Sequence, residues 1–109
     1  MYKWDELIPL MDIREHSDLE DSPSIKELIN KPIKEKEKVL AYMKKCEPIA
    51  YSPSLIYDAL DPTVRLPPIQ MVGDDVYRWP TYVPYYVEKY DMALPQEFVD
   101  HVLRKIGAA

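Results

Sequence analysis

The sequence predicts a small, mostly helical α+β protein with one short antiparallel β-hairpin, formed as a single globular domain over residues 1–109. Apolar residues recur at helical spacing in two segments, 33–46 and 98–106. Two β-prone segments, 69–72 and 76–79, flank a connection that contains a glycine. A chain of 109 residues with 47% apolar side chains is long enough and apolar enough for one core.

Two helices are predicted before residue 46. Ser24 and Glu27 have the S-x-x-E spacing of a capping box, which indicates a short helix ending near Ile29. Asn30 is a candidate cap for a longer helix with Pro32 in its first turn, where the missing N–H costs nothing. We expect that helix to continue to about residue 45.

The middle of the chain is rich in proline, which fixes φ and removes a donor. Residues 49–51 are predicted as a brief strand, and residues 52–60 as a single helical turn. Residues 61–68 are predicted as turn and extended chain. The hairpin follows, with Gly73, Asp74 and Asp75 in its connection.

Two further helices are predicted near the C-terminus. One begins at Val83-Pro84 and ends near Tyr90, and the second begins at Leu94-Pro95. Arg104 and Lys105 precede Gly107, which is the pattern of a helix end followed by a C′ glycine.

The net charge of −5 is unevenly distributed, with −5 in residues 1–30, +4 in residues 31–46 and −4 in the remainder. Only the short middle segment offers the clustered cations that phosphate backbones require, and Glu35 and Glu37 dilute it. No nucleic-acid partner is therefore expected. A basic protein partner suits the overall charge.

No membrane association is expected, because no apolar run approaches the ~18 residues that span a bilayer. The sequence begins without the charged and apolar regions of a secretory signal, and the expected location is the cytoplasm. With only two glycines, the chain cannot build a phosphate-binding or dinucleotide-binding loop, so no cofactor is expected.

The residue types that usually carry catalysis or bind metals are sparse, and neither a catalytic residue nor a metal site is predicted. His16 is expected in a solvated acidic loop that lacks the ligand spacing of a cation site. His101 follows Glu97 by four residues on one helix face, but a zinc site would need a third ligand. Cys46, the only cysteine, is expected to be a buried structural residue.

The aromatic run is the most informative feature, since six Trp and Tyr residues fall between positions 77 and 90. So small a domain is not expected to bury them all. Trp and Tyr are enriched at binding hot spots, although such rings also fill cores. The candidate partner-binding residues are Asp74, Asp75, Trp79, Tyr82, Tyr85 and Tyr86.

The leading hypothesis is a small acidic protein-binding domain, such as a bacterial immunity or antitoxin-type inhibitor that neutralises a basic protein. One alternative is a structural or accessory subunit of a larger complex. Another is a small enzyme that uses Glu97 and His101.

Overall fold

The computed structural model describes residues 6–16, 22–51 and 55–107. The helices are α1 (Ile25–Leu28), α2 (Lys36–Lys45), α3 (Tyr82–Tyr90) and α4 (Gln96–Lys105), with a 3₁₀ turn at Arg14–His16. The strands are β1 (Ile8–Pro9), β2 (Pro48–Tyr51), β3 (Tyr57–Asp58), β4 (Asp61–Arg65), β5 (Gln70–Gly73) and β6 (Tyr77–Pro80). The fold is α+β.

The main sheet has four strands in the order β1-β6-β5-β2. Strands β5 and β6 occupy the two segments assigned to the predicted hairpin, and they pair antiparallel with Val72 opposite Trp79. Strand β1 joins β6 in parallel, and β2 joins β5 in antiparallel orientation. The β structure is therefore more extensive than a single hairpin.

The predicted helical turn over residues 52–60 is not found where the structure describes that segment. Residues 55–66, which we call the arm, contain β3 and β4 as a separate two-stranded sheet. Asp58 stabilises this conformation, because its Oδ1 accepts hydrogen bonds from the N–H groups of Leu60 and Asp61 and so closes a tight turn. The N–H of Leu66 donates to the carbonyl of Ile56 and closes the arm.

Helix α2 begins later than predicted, at Lys36. Glu35, directly before α2, has a left-handed backbone with φ of 54°, and an α-helix does not continue through that conformation. Asn30, the predicted cap, is also left-handed, with φ of 60°. The N–H groups of Asn30 and Lys31 instead donate to the carbonyls of Tyr90 and Asp91 at the end of α3. These hydrogen bonds to the end of α3 therefore satisfy N–H groups that would be unpaired in the first turn of a longer helix.

The other helix boundaries lie close to their predicted positions. The capping box at Ser24 and Glu27 is present in full at the start of α1. Helices α3 and α4 lie within one or two residues of their predicted starts, and Gly107 follows α4 with φ of 72°. These ends are set by local chemistry, which the sequence displays directly.

The core joins the sheet to the helices. Trp79 of β6 has no exposed surface, and its ring meets Phe98 of α4 edge-on at 5.5 Å. Helix α2 contacts both α3 and α4. The largest fully buried side chains are those of Trp79, Tyr86, Phe98, Ile13, Ile25, Met43, Met92 and Leu103.

We expect Gly73→Ala to destabilise the sheet by about 1–3 kcal/mol. An added Cβ would lie 2.8 Å from Leu7 Cδ1, 3.1 Å from Ile49 Cδ1 and 3.2 Å from the Tyr77 carbonyl oxygen. Urea unfolding measures the change. Gly107→Asn is the control, because nothing lies within 4 Å and Asn tolerates the left-handed φ. Equal stability of the two variants would contradict the packing described here.

Candidate interaction surface

Trp79 and Tyr86, both predicted to contact a partner, are fully buried. Trp79 packs between the sheet and α4, and Tyr86 lies under the arm, where its hydroxyl accepts the N–H of Ala59 at 2.9 Å. Neither ring is therefore available to a docking partner. Tyr86 is hidden because the arm covers it, whereas Trp79 is hidden by its packing against α4.

Tyr82 and Tyr85 have different environments. Tyr82 is buried, and its hydroxyl donates to Asp12 Oδ1 at 3.2 Å. Tyr85 is half-buried, and its hydroxyl donates to Asp58 Oδ2 at 2.6 Å. Of the aromatic candidates proposed from the sequence, only Tyr85 keeps a substantial exposed surface.

Asp74 is a buried structural carboxylate, contrary to the expectation of an exposed charge on the hairpin connection. Its Oδ1 accepts the N–H groups of Val76 and Tyr77, at 2.8 and 2.7 Å. Its Oδ2 accepts from Tyr42 at 2.6 Å and lies 2.7 Å from His101 Nε2. Burial alone would raise the pKa of Asp74, but these hydrogen bonds outweigh it and lower the pKa.

Asp75 is exposed as predicted, and its carboxylate forms an ion pair with Lys105 of α4. His101 lies against Asp74 and the ring of Tyr77 rather than beside Glu97, which is exposed. The structure therefore does not join Glu97 and His101 into a polar cleft.

Asp74, Asp75 and His101 form a group whose ligand atoms lie within 4.8 Å of one another. Their bonds make this a poor metal site. The Asp74 carboxylate already satisfies four donors, and Asp75 is paired with Lys105. A divalent cation would have to displace these hydrogen-bond and ion-pair partners, and the group would offer it only two carboxylates and one imidazole.

Cys46 is half-buried, and its thiol donates to the Tyr42 carbonyl. Burial raises the pKa of Cys46 to about 11, with the nearby Asp74 charge adding to the effect. A thiol in this environment is almost wholly protonated at neutral pH and is a weak nucleophile.

A buried cluster around Asp58 fastens the arm to α3. Its side chain has no exposed surface, and Oδ2 accepts from Tyr85 at 2.6 Å, Tyr90 at 2.8 Å and Lys89 at 3.3 Å. Burial acts to raise the pKa of Asp58, but the hydrogen bonds to the carboxylate lower it to about 2. The carboxylate is therefore ionised whenever the protein is near neutral pH.

This cluster around Asp58 was not predicted from the sequence, although a signal was present. Asp58 is the only polar side chain apart from the Tyr57 hydroxyl in residues 55–60. A carboxylate that is buried together with an apolar segment is stable only where hydrogen-bond donors satisfy it. The donors come from positions 85, 89 and 90, which nothing in the sequence links to position 58.

Five large hydrophobic side chains are exposed among the described residues: Ile8, Tyr51, Leu55, Tyr57 and Ile106. Three of them, Tyr51, Leu55 and Tyr57, fall within seven consecutive positions and are 74%, 60% and 51% exposed. We call these three the apolar surface. Tyr51 is the last residue of the edge strand β2, and Leu55 and Tyr57 belong to the arm.

Two shallow grooves, of about 240 and 360 Å³, lie on either side of Tyr85. Pro67, Pro68 and Tyr82 help to line the first groove, and Met43 and Trp79 the second. Trp79 Nε1 has no hydrogen-bond partner among the described residues, and the Trp79 side chain has no exposed surface.

None of the helices in the described part of the chain is both long enough and apolar enough to cross a bilayer. Comparison with known proteins found no matching family model, no matching curated protein and no matching solved structure.

We expect Asp58→Asn to lower the free energy of unfolding by roughly 2–3 kcal/mol at pH 7, because the Lys89 and tyrosine donors lose a charged acceptor. The folded-state pKa of Asp58 lies below its ordinary value of 3.8. Its stabilisation is therefore present above pH 4 and is lost as pH falls toward 2, by roughly 2 kcal/mol. Urea unfolding at pH 7, 4 and 2.5 measures both effects.

Asp61→Asn is the matched control, because among the described residues the side chain of Asp61 accepts its hydrogen bonds from Thr63, within the arm. We expect it to change stability by less than about 0.5 kcal/mol. An Asp58→Asn variant as stable as this control, or one that loses as much stability in acid as the unsubstituted protein, would contradict the assignment.

Proposed function

We propose that this chain is a protein-binding domain and that its apolar surface, Tyr51, Leu55 and Tyr57, is where a partner docks. The observation that carries the proposal is the concentration of exposed apolar area in one short segment, while Trp79 and Tyr86 are fully buried. An exposed apolar patch is typical of an interaction site.

The residue types of this surface support the proposal. Tyr51 and Tyr57 each offer a large ring with few rotatable bonds, so little conformational entropy is lost when a partner covers them. The main-chain edge of β2 is of limited use to a partner, because a bulge interrupts its pairing and Pro48 supplies no N–H. Side-chain contacts are therefore the proposed basis of binding.

The net charge of −5 favours a basic partner, since opposite charges accelerate encounter. A bacterial immunity or antitoxin-type protein that blocks a basic toxin in the cytoplasm is the specific role we propose. Asp75 and Tyr85 remain candidate contacts, because both keep exposed surface. Asp74, Trp79, Tyr82 and Tyr86 are assigned to the core instead.

A permanent accessory subunit is the second proposal, and it would use the same surface. The two roles differ in the lifetime of the complex. An inhibitor exists free until its target appears, whereas a permanent subunit is purified with its partner already bound.

Site-specific photocrosslinking tests the proposed surface. Tyr57 is replaced by a photoreactive phenylalanine analogue in the native host, and the cells are irradiated. We expect a discrete protein adduct, which is then purified for binding measurements. Leu55→Ala combined with Tyr57→Ala should weaken its affinity at least about tenfold, because hot-spot truncations cost more than 1 kcal/mol each.

Ile106 is the matched control position, because it is also an exposed apolar residue but lies at the end of α4. The same analogue placed there should give no such adduct. Identical adducts from both positions, or none from position 57, would refute the proposed surface. Unfolding measurements on the double variant should show a change below about 0.5 kcal/mol, because both side chains are exposed.

A further inference from the structure

His16 connects the N-terminal part of the chain to the arm through the hydroxyl of Tyr86. The Nε2 atom of His16 lies 2.6 Å from that hydroxyl, and the N–H of Ala59 donates to the same oxygen at 2.9 Å. The imidazole is half-buried and stacks on the ring of Tyr86 with centroids 5.8 Å apart. Three segments of the chain therefore meet at one hydroxyl.

The hydrogen-bond chain fixes where the protons lie. Ala59 is a main-chain donor, so the Tyr86 oxygen must accept from it. Among the described residues, the proton of Tyr86 has one acceptor within reach, Nε2 of His16. Both hydrogen bonds of the Tyr86 hydroxyl are therefore satisfied when His16 is neutral and carries its proton on Nδ1.

We propose that His16 acts as an acid-sensitive latch, in which protonation of its imidazole weakens the attachment of both the 3₁₀ turn and the arm to Tyr86. A protonated Nε2 is a donor and no longer accepts the Tyr86 proton. Two donors, Nε2–H and the Ala59 N–H, would then converge on one oxygen, and the buried Tyr86 proton would lose its partner.

Among the described residues, the titratable groups that face His16 keep their charge while it titrates. Burial is the main cause that lowers the pKa of His16, and the nearby Glu15 and Asp58 carboxylates act in the opposite direction. Burial would raise the pKa of each carboxyl group, but hydrogen bonds lower both, so they stay ionised well below pH 6. Tyr82 and Tyr86 of α3 also face the ring, and burial raises the pKa of both phenols, to about 12 for Tyr86.

The direction of the pH effect follows from the lowered pKa. The unfolded imidazole binds a proton near pH 6.5, whereas the folded one resists protonation until a lower pH. The contribution of the latch is therefore complete above pH 6.5 and is lost as pH falls through the folded-state value. Because the arm carries Leu55 and Tyr57, the latch would also make the proposed partner surface pH-dependent, a consequence that rests on the proposed function.

Hydrogen exchange at the Ala59 amide, followed by NMR on the full chain between pH 7.5 and 5, tests the latch. After correction for intrinsic exchange, we expect the protection of Ala59 to fall about tenfold, as for the loss of one good hydrogen bond. The Leu60 amide is an internal control, because it donates to Asp58 within the arm and this carboxylate stays ionised. Its protection should not change.

His16→Gln is the matched variant, because its amide oxygen can accept the Tyr86 proton without titrating. Its Ala59 protection should be independent of pH in this range. If the variant does not fold, the titration midpoint of the His16 ring in the unsubstituted protein must equal the midpoint of the Ala59 change. Constant Ala59 protection, an equal fall at Leu60, or an equal fall in the variant would overturn the latch. These readouts need no partner, so they are independent of the test of the proposed function.

Discussion

The Asp58 carboxylate holds the arm against helix α3, and the burial of Tyr86 beneath the arm depends on that contact. The side chain is fully buried, yet it satisfies Tyr85, Tyr90 and Lys89 from the helix and two main-chain donors from its own turn. A buried charge persists only when it is bonded this completely. The attachment is therefore specific to one placement of the arm.

The covering arm explains how so small a chain hides so many rings. Tyr86 has the arm above it, and its hydroxyl bonds to Ala59 instead of water. Each buried tyrosine in this region has a polar partner for its hydroxyl, which removes the usual penalty for burying it. Three of the five large apolar side chains that stay exposed among the described residues, Tyr51, Leu55 and Tyr57, lie on the edge strand β2 and in the arm.

Local chemistry accounts for the parts of the fold that the sequence predicted. The capping box at Ser24 and the glycine after α4 are settled by neighbouring residues, and both are confirmed. Residues 55–60 were wrongly predicted as part of a helical turn, whereas the extended chain predicted after residue 60 contains β4. The tyrosines that hold Asp58 against α3 lie 27 and 32 positions away. Contact residues chosen by type alone included Trp79 and Asp74, which tertiary packing places inside. No sequence pattern distinguished Tyr57 from those buried rings.

A double-mutant cycle between Asp58→Asn and Tyr90→Phe tests the central contact most directly, using urea unfolding at pH 7. The two side chains bond at 2.8 Å across the junction of arm and helix. The structure predicts a coupling free energy of about 1–2 kcal/mol between the two changes. Effects that add to within about 0.3 kcal/mol would show that Asp58 does not hold the arm on α3.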